Sequence, residues 1–205
     1  MTIRLHRGDL PDLSAYKGAV AIDTETMGLD PLRDRLCLVQ LSPGDGSADV
    51  VQIAPGQTKA PNIGRLLADP KILKIFHYAR FDLGMLAKSF GVMAQPVYCT
   101  KIASRLSRTY TDRHGLKDLT RELLGVDLSK QQQSSDWGAE SLSDAQVSYA
   151  ASDVLHLHAL KEKLDAMLVR EGRSELAAAC FGFLPQRALL DLAGWAGQDI
   201  FSHSV

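Results

Sequence analysis

Cysteine is scarce in this chain, and its positions exclude a disulfide framework. The three cysteines, Cys37, Cys99 and Cys180, are odd in number, far apart and without a Cys-x-x-Cys pair. That pattern argues against both a disulfide scaffold and a structural zinc site, and it is typical of a protein kept in a reducing compartment. We therefore expect a cytoplasmic protein.

Long apolar runs are also missing. The N-terminal stretch Met-Thr-Ile-Arg-Leu-His-Arg lacks the apolar core of a signal peptide. No run approaches the roughly 20 apolar residues that a membrane-spanning helix needs. The sequence therefore predicts a protein that is neither exported nor embedded. Its 205 residues, 45% of them hydrophobic, suffice for one domain with an ample core.

An excess of positive charge is absent as well. The net charge is −1, whereas proteins that grip long nucleic acids use many Lys and Arg contacts to phosphates. A nucleic-acid-binding protein with this balance of charge is better suited to a very short polymer than to a long one. One local basic patch comprises Lys101, Arg105, Arg108, Arg113, Lys117 and Arg121. It is consistent with contact to a substrate phosphate or a neighbouring subunit, and equally with an ordinary solvated helix face.

What the chain does contain is acidic residues in three separated patches. In the first, Asp23 and Glu25 stand two residues apart at the end of an apolar run. Side chains alternate along a strand, so both carboxylates project from one face. Adjacent carboxylates repel each other, and binding a divalent cation is the simplest way to offset that repulsion. By itself, the patch also fits a strand that runs out into solvent.

The third patch, Tyr149 and Asp153, lies within a helical pattern. Four residues separate the two side chains, which places them one turn apart on the same helix face. Ser143 and Gln146 have the spacing of a capping box, and apolar residues of helical period follow. Asp153 adjoins that apolar stripe without a nearby basic residue, so it needs a partner or a metal. An exposed helix edge is the plain alternative.

The second patch contains His77 and Asp82. A helical pattern begins at Asp82 and runs to residue 90, so this acid also suits a helix cap or a partner of the helix dipole. A lone histidine such as His77 is more typical of a structural residue than of a ligand. The combination of all three patches, in this order, is what favours phosphodiester hydrolysis.

The succession Asp-x-Glu, His-x-x-x-Phe-Asp and Tyr-x-x-x-Asp resembles the three exonuclease motifs of the DEDD superfamily. Tyr149 stands four residues before Asp153, as in the tyrosine subgroup. The histidine subgroup has His five residues before that acid, where this chain has Ser148. The similarity to the ribonuclease D exonuclease domain covers about residues 18–165, including segments 115–119, 123–130, 133–137 and 142–146. It implies a ribonuclease H-like fold.

This resemblance implies a 3′-5′ exonuclease that uses two divalent cations, Mg²⁺ or Mn²⁺. Asp23, Glu25 and Asp153 would hold one cation, and Asp23 with Asp82 would hold the second. Tyr149 would orient the attacking water, since an unperturbed phenol with a pKa of about 10 is a poor base at neutral pH. The products would be 5′-mononucleotides released from the 3′ end.

The resemblance also implies substrate contacts. Leu29, in the turn after Glu25, resembles the apolar wedge that related enzymes insert between the last two bases. Stacking on such a surface tolerates any base, and a plain turn leucine is the alternative. Thr24 and His77 are further substrate-binding candidates, His77 through the ribose or the phosphate.

Within the superfamily, the chain is most similar to the nano-RNase C group of compact enzymes that degrade very short RNA. We therefore expect an exoribonuclease that prefers dinucleotides, has no membrane partner and forms a homo-oligomer, a ring-like octamer. The helical domains that follow the exonuclease in larger ribonuclease D proteins are expected to be absent. The alternatives are a general ribonuclease D-like or DNA-degrading 3′-5′ exonuclease and, in another class, an inactive nucleic-acid-binding module.

The patterns predict a single α/β domain, a mixed five-stranded sheet flanked by helices. Expected strands are residues 3–6, 19–23, 36–41, 49–53 and 72–76, with a hairpin turn at 42–46. Expected helices are 62–67, 82–90, 100–106, 116–123 and about 144–170. The exonuclease core spans about 18–170. A helical extension, 174–205 with a break at Pro185, packs on its own domain or contacts another subunit.

Overall fold

Six strands form one mixed sheet in the part of the chain that the structure, a computed structural model, describes: residues 2–129, 131–132 and 134–203. The strand order is β1-β4-β3-β2-β5-β6. The strands are β1 (Thr2–Arg7), β2 (Ala19–Thr26), β3 (Leu36–Ser42), β4 (Ser47–Gln52), β5 (Leu73–Phe76) and β6 (Val97–Cys99). Lys130 and Gln133, within the resembling segments, lie outside the described residues.

An antiparallel meander forms the centre of this sheet, and parallel strands extend it. β2 pairs antiparallel with β3, and β3 with β4, whereas β1 runs parallel to β4, β5 to β2 and β6 to β5. The predicted hairpin between β3 and β4 is present. Gly44 and Gly46 have φ angles of 90° and 84° there, which glycine adopts without steric cost.

The prediction of a single α/β domain with a mixed sheet is confirmed, but the number of strands was wrong. The sixth strand, β6, pairs in parallel with β5. It contains only three residues, too few to show an alternating pattern in the sequence. Its pairing depends on a crossover connection, which local periodicity does not reveal.

Seven α-helices and two π-helical turns accompany the sheet within the described residues. The helices are α1 (Pro61–Ala68), α2 (Ala79–Phe90), α3 (Thr100–Ser107), α4 (Leu116–Leu119), α5 (Asp144–Leu155), α6 (Leu157–Arg170) and α7 (Ser174–Leu190). The π-helical turns are Thr120–Leu124 and Asp191–Trp195. Helix α2 therefore begins three residues before Asp82, the predicted start.

Two helices replace the long one predicted from about residue 144 to 170. His156, with φ −105° and ψ −5°, separates α5 from α6. Helix α5 packs on β1 to β4, whereas α6 packs on α3 and on β5, so each half follows a different surface. The predicted capping box is present: the Ser143 hydroxyl accepts from the Gln146 backbone N–H, and the Gln146 side chain accepts from that of Ser143.

Helix α7 packs back onto the domain through one face, against α2, α3 and β6. Its buried residues include Ala177, Phe181, Leu184 and Ala188. The predicted break at Pro185 is wrong, because a proline ring matches the helical φ angle and costs only a local hydrogen bond and some steric strain. Packing on both sides of Pro185 offsets that cost.

The segment Ser174–Trp195 is long and apolar enough to cross a membrane by length and composition, with a mean hydropathy of 1.3. No segment of that kind was expected from the sequence. Within the most apolar stretch of this segment, 33% of the residues are buried inside the domain. Core helices of folded domains meet the same two criteria, and the inward face of α7 has that role here.

Candidate active site

Strand β2 delivers the first two acids to one end of the sheet. Asp23 and Glu25 alternate with Thr24, whose side chain is buried on the opposite face. The pairing of β2 with β3 becomes irregular between Glu25 and Thr26, where the strand leaves the sheet. Both carboxylates therefore point into a cleft with a volume of about 660 Å³.

Helix α5 adds the third acid to this cluster. One carboxylate oxygen from each of Asp23, Glu25 and Asp153 lies within 4.8 Å of the other two. All three side chains are half-buried. Three oxygen ligands at this separation suit a hard divalent cation. The alternatives considered from the sequence were a solvent-exposed strand end and an exposed helix edge. Neither describes these residues, because all three are half-buried.

Asp82 reaches the cleft from the other face of the sheet. It lies in the first turn of α2 and is 3% exposed. The Thr24 hydroxyl donates a hydrogen bond of 2.6 Å to its carboxylate. Asp82 also lines the same cleft as the three clustered acids. Its carboxylate therefore lies beside that cluster as well as in the first turn of the helix.

Burial of so many acids raises their pKa values. Desolvation, with a smaller contribution from the charges of Asp23, Asp153 and Asp82, raises the pKa of Glu25 to about 9. Burial likewise raises the pKa of Asp23, and burial with the charge of Asp23 raises those of Asp82 and Asp153. A bound cation would reverse this penalty by pairing with the ionised forms.

Tyr149 lies one helical turn from Asp153 and lines the cleft beside it. Its ring stacks on that of Trp137, with 6.0 Å between the ring centroids. Burial and the charge of Asp153 raise the pKa of Tyr149 above its ordinary value. The phenol therefore stays protonated near neutral pH, where it is a hydrogen-bond donor and not a base.

His77 is a neutral hydrogen-bonding group in this cleft. Burial, together with the charge of Lys101, lowers its pKa to about 3. Its Nδ1 lies 2.8 Å from the Thr100 hydroxyl oxygen, and that hydroxyl donates to the Phe76 carbonyl. A hydroxyl has one proton to donate, so with that donation to Phe76 the Thr100 oxygen accepts from a protonated Nδ1. Nε2 is therefore left as a hydrogen-bond acceptor.

Leu29 stands on the rim of the cleft, with 86% of its surface exposed. Met27, on the same rim, is also exposed. An exposed leucine at the mouth of a polar cleft fits the predicted apolar wedge, because it has a free face on which a base could stack.

The residues of the basic patch predicted from the sequence have different environments in the structure. Arg108 is fully buried and forms an ion pair with Glu122, and Arg121 pairs with Asp118 at 3.0 Å. Lys117 lines the cleft, and Lys101 lies 4.3 Å above the Tyr78 ring. Arg108 therefore supports the interior of the domain, and Arg121 matches the predicted solvated helix face. Lys117 is the member of the patch that lines the acids' cleft.

The periodicity of the sequence did not reveal several supports of this site. Thr24 holds Asp82, Thr100 fixes the tautomer of His77, and Trp137 stacks on Tyr149. Tyr78, just before α2, has a left-handed backbone with φ 70°, a conformation that costs energy in a non-glycine residue and is enriched at functional sites. Thr24, Tyr78 and Trp137 lie within the motifs and segments that resemble ribonuclease D. Thr24 was expected to contact substrate, whereas its hydroxyl donates to Asp82.

Residues 10–169 match the family described as 3′-5′ exonuclease. The chain belongs to this family. Its full length is similar to NrnC from Brucella melitensis in a structure with bound Mg²⁺, at 64% identity and a TM-score of 0.97, with both chains covered completely. The same Brucella protein bound to pGG shows 65% identity and a TM-score of 0.97 over the same full coverage. The expected resemblance to the nano-RNase C group is thus confirmed.

Ribonuclease D proteins are more distant relatives. The protein from Gluconacetobacter diazotrophicus is 38% identical over 169 residues, which cover 82% of this chain and 42% of the relative. The structure of Escherichia coli RNase D, with 27% identity and a TM-score of 0.75, covers 84% of this chain and 45% of its own. The chain therefore spans less than half the length of these ribonuclease D relatives.

The raised pKa values predict how the metal-free protein responds to pH. From about pH 4 to pH 9 the folded protein holds carboxyl protons that the unfolded chain has released, so its stability falls as pH rises. Asp153→Asn relieves this repulsion. With chelator near pH 8 we expect the melting temperature to rise by at least about 2–4 °C, the equivalent of 1 kcal/mol at this size.

Near pH 4 the two proteins should melt at similar temperatures, because the clustered acids are then protonated. Asp144→Asn is the control. It removes an exposed acid from the first turn of the same helix, where a negative charge is favourable, so it should slightly lower the melting temperature. Equal stabilisation by Asp153→Asn at both pH values would contradict the electrostatic account.

Proposed function

We propose that this protein is a metal-dependent 3′-5′ exoribonuclease that degrades very short RNA, preferably dinucleotides, to 5′-mononucleotides. The observation that carries the proposal is the meeting of Asp23, Glu25 and Asp153 within 4.8 Å, with Asp82 and Tyr149 in the same cleft. Membership of the 3′-5′ exonuclease family gives this cluster its chemistry.

Two divalent cations, Mg²⁺ or Mn²⁺, fit the oxygen-only ligand set. Asp23, Glu25 and Asp153 would hold the first, and Asp23 with Asp82 the second. The bound cations would lower the pKa of the attacking water and stabilise charge on the scissile phosphate and the leaving oxygen. The Mg²⁺ in the Brucella melitensis NrnC structure supports magnesium as the first candidate.

The protein side chains position the substrate and the water. Tyr149, protonated and held by Trp137, donates to the water and orients it toward phosphorus. The water oxygen would bond to phosphorus as the bond from phosphorus to the 3′ oxygen breaks. A proton from the water ends on that oxygen, which leaves as a hydroxyl, and a 5′-mononucleotide is released. Leu29 stacks against the terminal bases. His77, with an acceptor at Nε2, accepts a hydrogen bond from a ribose hydroxyl rather than binding a phosphate.

The preference for very short RNA is supported by two observations. The Brucella melitensis protein, similar over the full chain, has been solved bound to pGG. The net charge of −1 gives this chain little general attraction for long polymers. The competing activities are a general ribonuclease D-like exonuclease and a DNA-degrading one. A hydroxyl-accepting His77 favours RNA, because a 2′-hydroxyl is what distinguishes RNA from DNA at such a contact.

A ladder of labelled RNAs from two to seven nucleotides tests the substrate preference. We expect the dinucleotide to disappear much faster than every longer RNA under equal conditions with Mg²⁺. A deoxyribose dinucleotide of the same sequence is the matched control and should be hydrolysed more slowly. Even processing of the whole ladder would favour the general exoribonuclease, and comparable rates on the deoxyribose substrate would remove the assigned role of His77.

Glu25→Gln tests the metal-dependent mechanism. The change keeps the size of the side chain but removes one anionic ligand, so dinucleotide hydrolysis should fall by at least about 1000-fold, equivalent to some 4 kcal/mol of transition-state stabilisation. Glu140→Gln, at an exposed acid, is the control and should retain full activity. Chelator should abolish wild-type turnover. Hydrolysis that survives chelator would refute the metal model, and binding without hydrolysis would indicate the inactive module.

The chain is further proposed to assemble into a ring-like homo-octamer in the cytoplasm, with its C-terminal segment as a contact. Outside the inward face of α7, large apolar side chains stay exposed: Leu176, Phe183, Leu189, Trp195, Ile200 and Phe201. Phe183 and Phe201 pack edge to face, with 5.7 Å between their centroids. Exposed apolar patches of this kind mark interaction surfaces. The unpaired cysteines support a reducing compartment.

Phe201→Asp tests this assembly. A charge within the apolar C-terminal surface should reduce the molar mass measured by light scattering from an oligomer toward the 22.3 kDa of one chain. Val169→Asp, at an exposed apolar residue of α6, is the control and should leave the mass unchanged. A wild-type protein that is already monomeric would contradict the proposed octamer.

A further inference from the structure

Gln40 occupies the middle of β3, and its side chain is completely buried. Neither Oε1 nor Nε2 of its amide has a hydrogen-bond partner among the described residues. A buried amide that loses its hydration without a replacement partner destabilises the folded state. An apolar side chain of similar size would stabilise the strand better, so packing alone does not account for this glutamine.

The sheet register places Gln40 directly opposite Asp23. Directly opposite residues on antiparallel strands project to the same face, with Cβ atoms about 4.5–5.5 Å apart. A glutamine side chain is long enough for its amide to reach an aspartate carboxylate across this gap. On the other side of β3, the residue opposite Gln40 is Val50, which is apolar. Of the two cross-strand neighbours, only Asp23 offers a hydrogen-bonding group.

Helix α5 covers this same face of the sheet and carries Asp153. The Gln40 side chain therefore lies between the sheet and α5, on the same face of the sheet as Asp23. Carboxylates that ligate metals are themselves usually hydrogen-bonded, and loss of that support weakens metal binding. Asp82 has such support from the Thr24 hydroxyl. Asp23, which would contact both cations, has no corresponding side-chain donor among the described residues.

We propose that Gln40 is a positioning residue for the metal site, whose Nε2 donates a hydrogen bond to the Asp23 carboxylate when that group binds a cation. The bond holds one oxygen of Asp23 toward the sheet and leaves the other directed into the cleft. The inference rests on the proposed function, because it assumes that the acidic cluster holds metal. In the metal-free protein this arrangement lowers the stability of the folded state, because the buried Gln40 amide is unpaired.

Gln40→Met tests this role, because methionine keeps the length of the side chain and removes the amide. We expect Mg²⁺ affinity, measured by titration calorimetry, to fall about 10–100-fold. The melting temperature of the metal-free protein should stay equal or rise, since a buried unpaired amide is lost. Dinucleotide hydrolysis should recover as Mg²⁺ is raised. A purely structural glutamine would show the opposite pattern, lower stability with unchanged affinity.

Ser42→Ala is the matched control on the same face of β3. The Ser42 hydroxyl donates to the Ser47 carbonyl at 2.7 Å, away from the acidic cluster. Its loss should lower the melting temperature and leave Mg²⁺ affinity at the wild-type value. Together, the two variants separate support of the metal site from support of the sheet.

Unchanged Mg²⁺ affinity in Gln40→Met would overturn the inference, whatever the stability. If that variant does not fold, Gln40→Leu provides the same measurement with a branched apolar side chain. Failure of both to fold would show that the amide is needed for the sheet itself, and this too would overturn it. Wild-type protein that binds no Mg²⁺ and hydrolyses no dinucleotide would instead refute the proposed function.

Discussion

The mutual repulsion of buried carboxylates at the end of β2 is the constraint on which the rest of the site depends. Asp23, Glu25 and Asp153 come close enough to share one ion, and burial makes their ionised forms costly. A domain maintains such an arrangement only if packing elsewhere outweighs its cost. The continuous core between the sheet and its helices provides that stability, and a bound cation turns the repulsion into attraction.

Each face of the sheet contributes differently to the cleft. Helix α5 covers the face of Asp23 and adds Asp153 with Tyr149, while α2 adds Asp82 from the side of Thr24. The cleft opens where β2 leaves the sheet, so side chains from both layers converge beyond its edge. The protonated Tyr149 and the neutral His77 then provide a hydrogen-bond donor and an acceptor beside the acids. This division explains why the four acids, Tyr149 and His77 line one compact cleft.

Much of the fold and of the site could be predicted from local patterns. The spacing of Asp23 and Glu25 on a strand, and of Tyr149 and Asp153 on a helix, follows from backbone geometry alone. The β3–β4 hairpin and the capping box at Ser143 were equally local, and both are present. Strand β6, the break at His156 and the continuity of α7 through Pro185 could not be read in the same way. Each depends on which surface the segment packs against.

The amino-acid sequence by itself determined the class of the protein, because motif order and side-chain chemistry are local properties that survive without coordinates. It also determined which acids are candidates. Only the tertiary structure decided that three of them meet within 4.8 Å, that the Thr24 hydroxyl donates to Asp82, and that Nδ1 of His77 lies beside the Thr100 hydroxyl. Gln40 is the sharpest case, since its relation to Asp23 exists only through strand register. Contacts between distant segments are set by packing and pairing, which no local periodicity encodes.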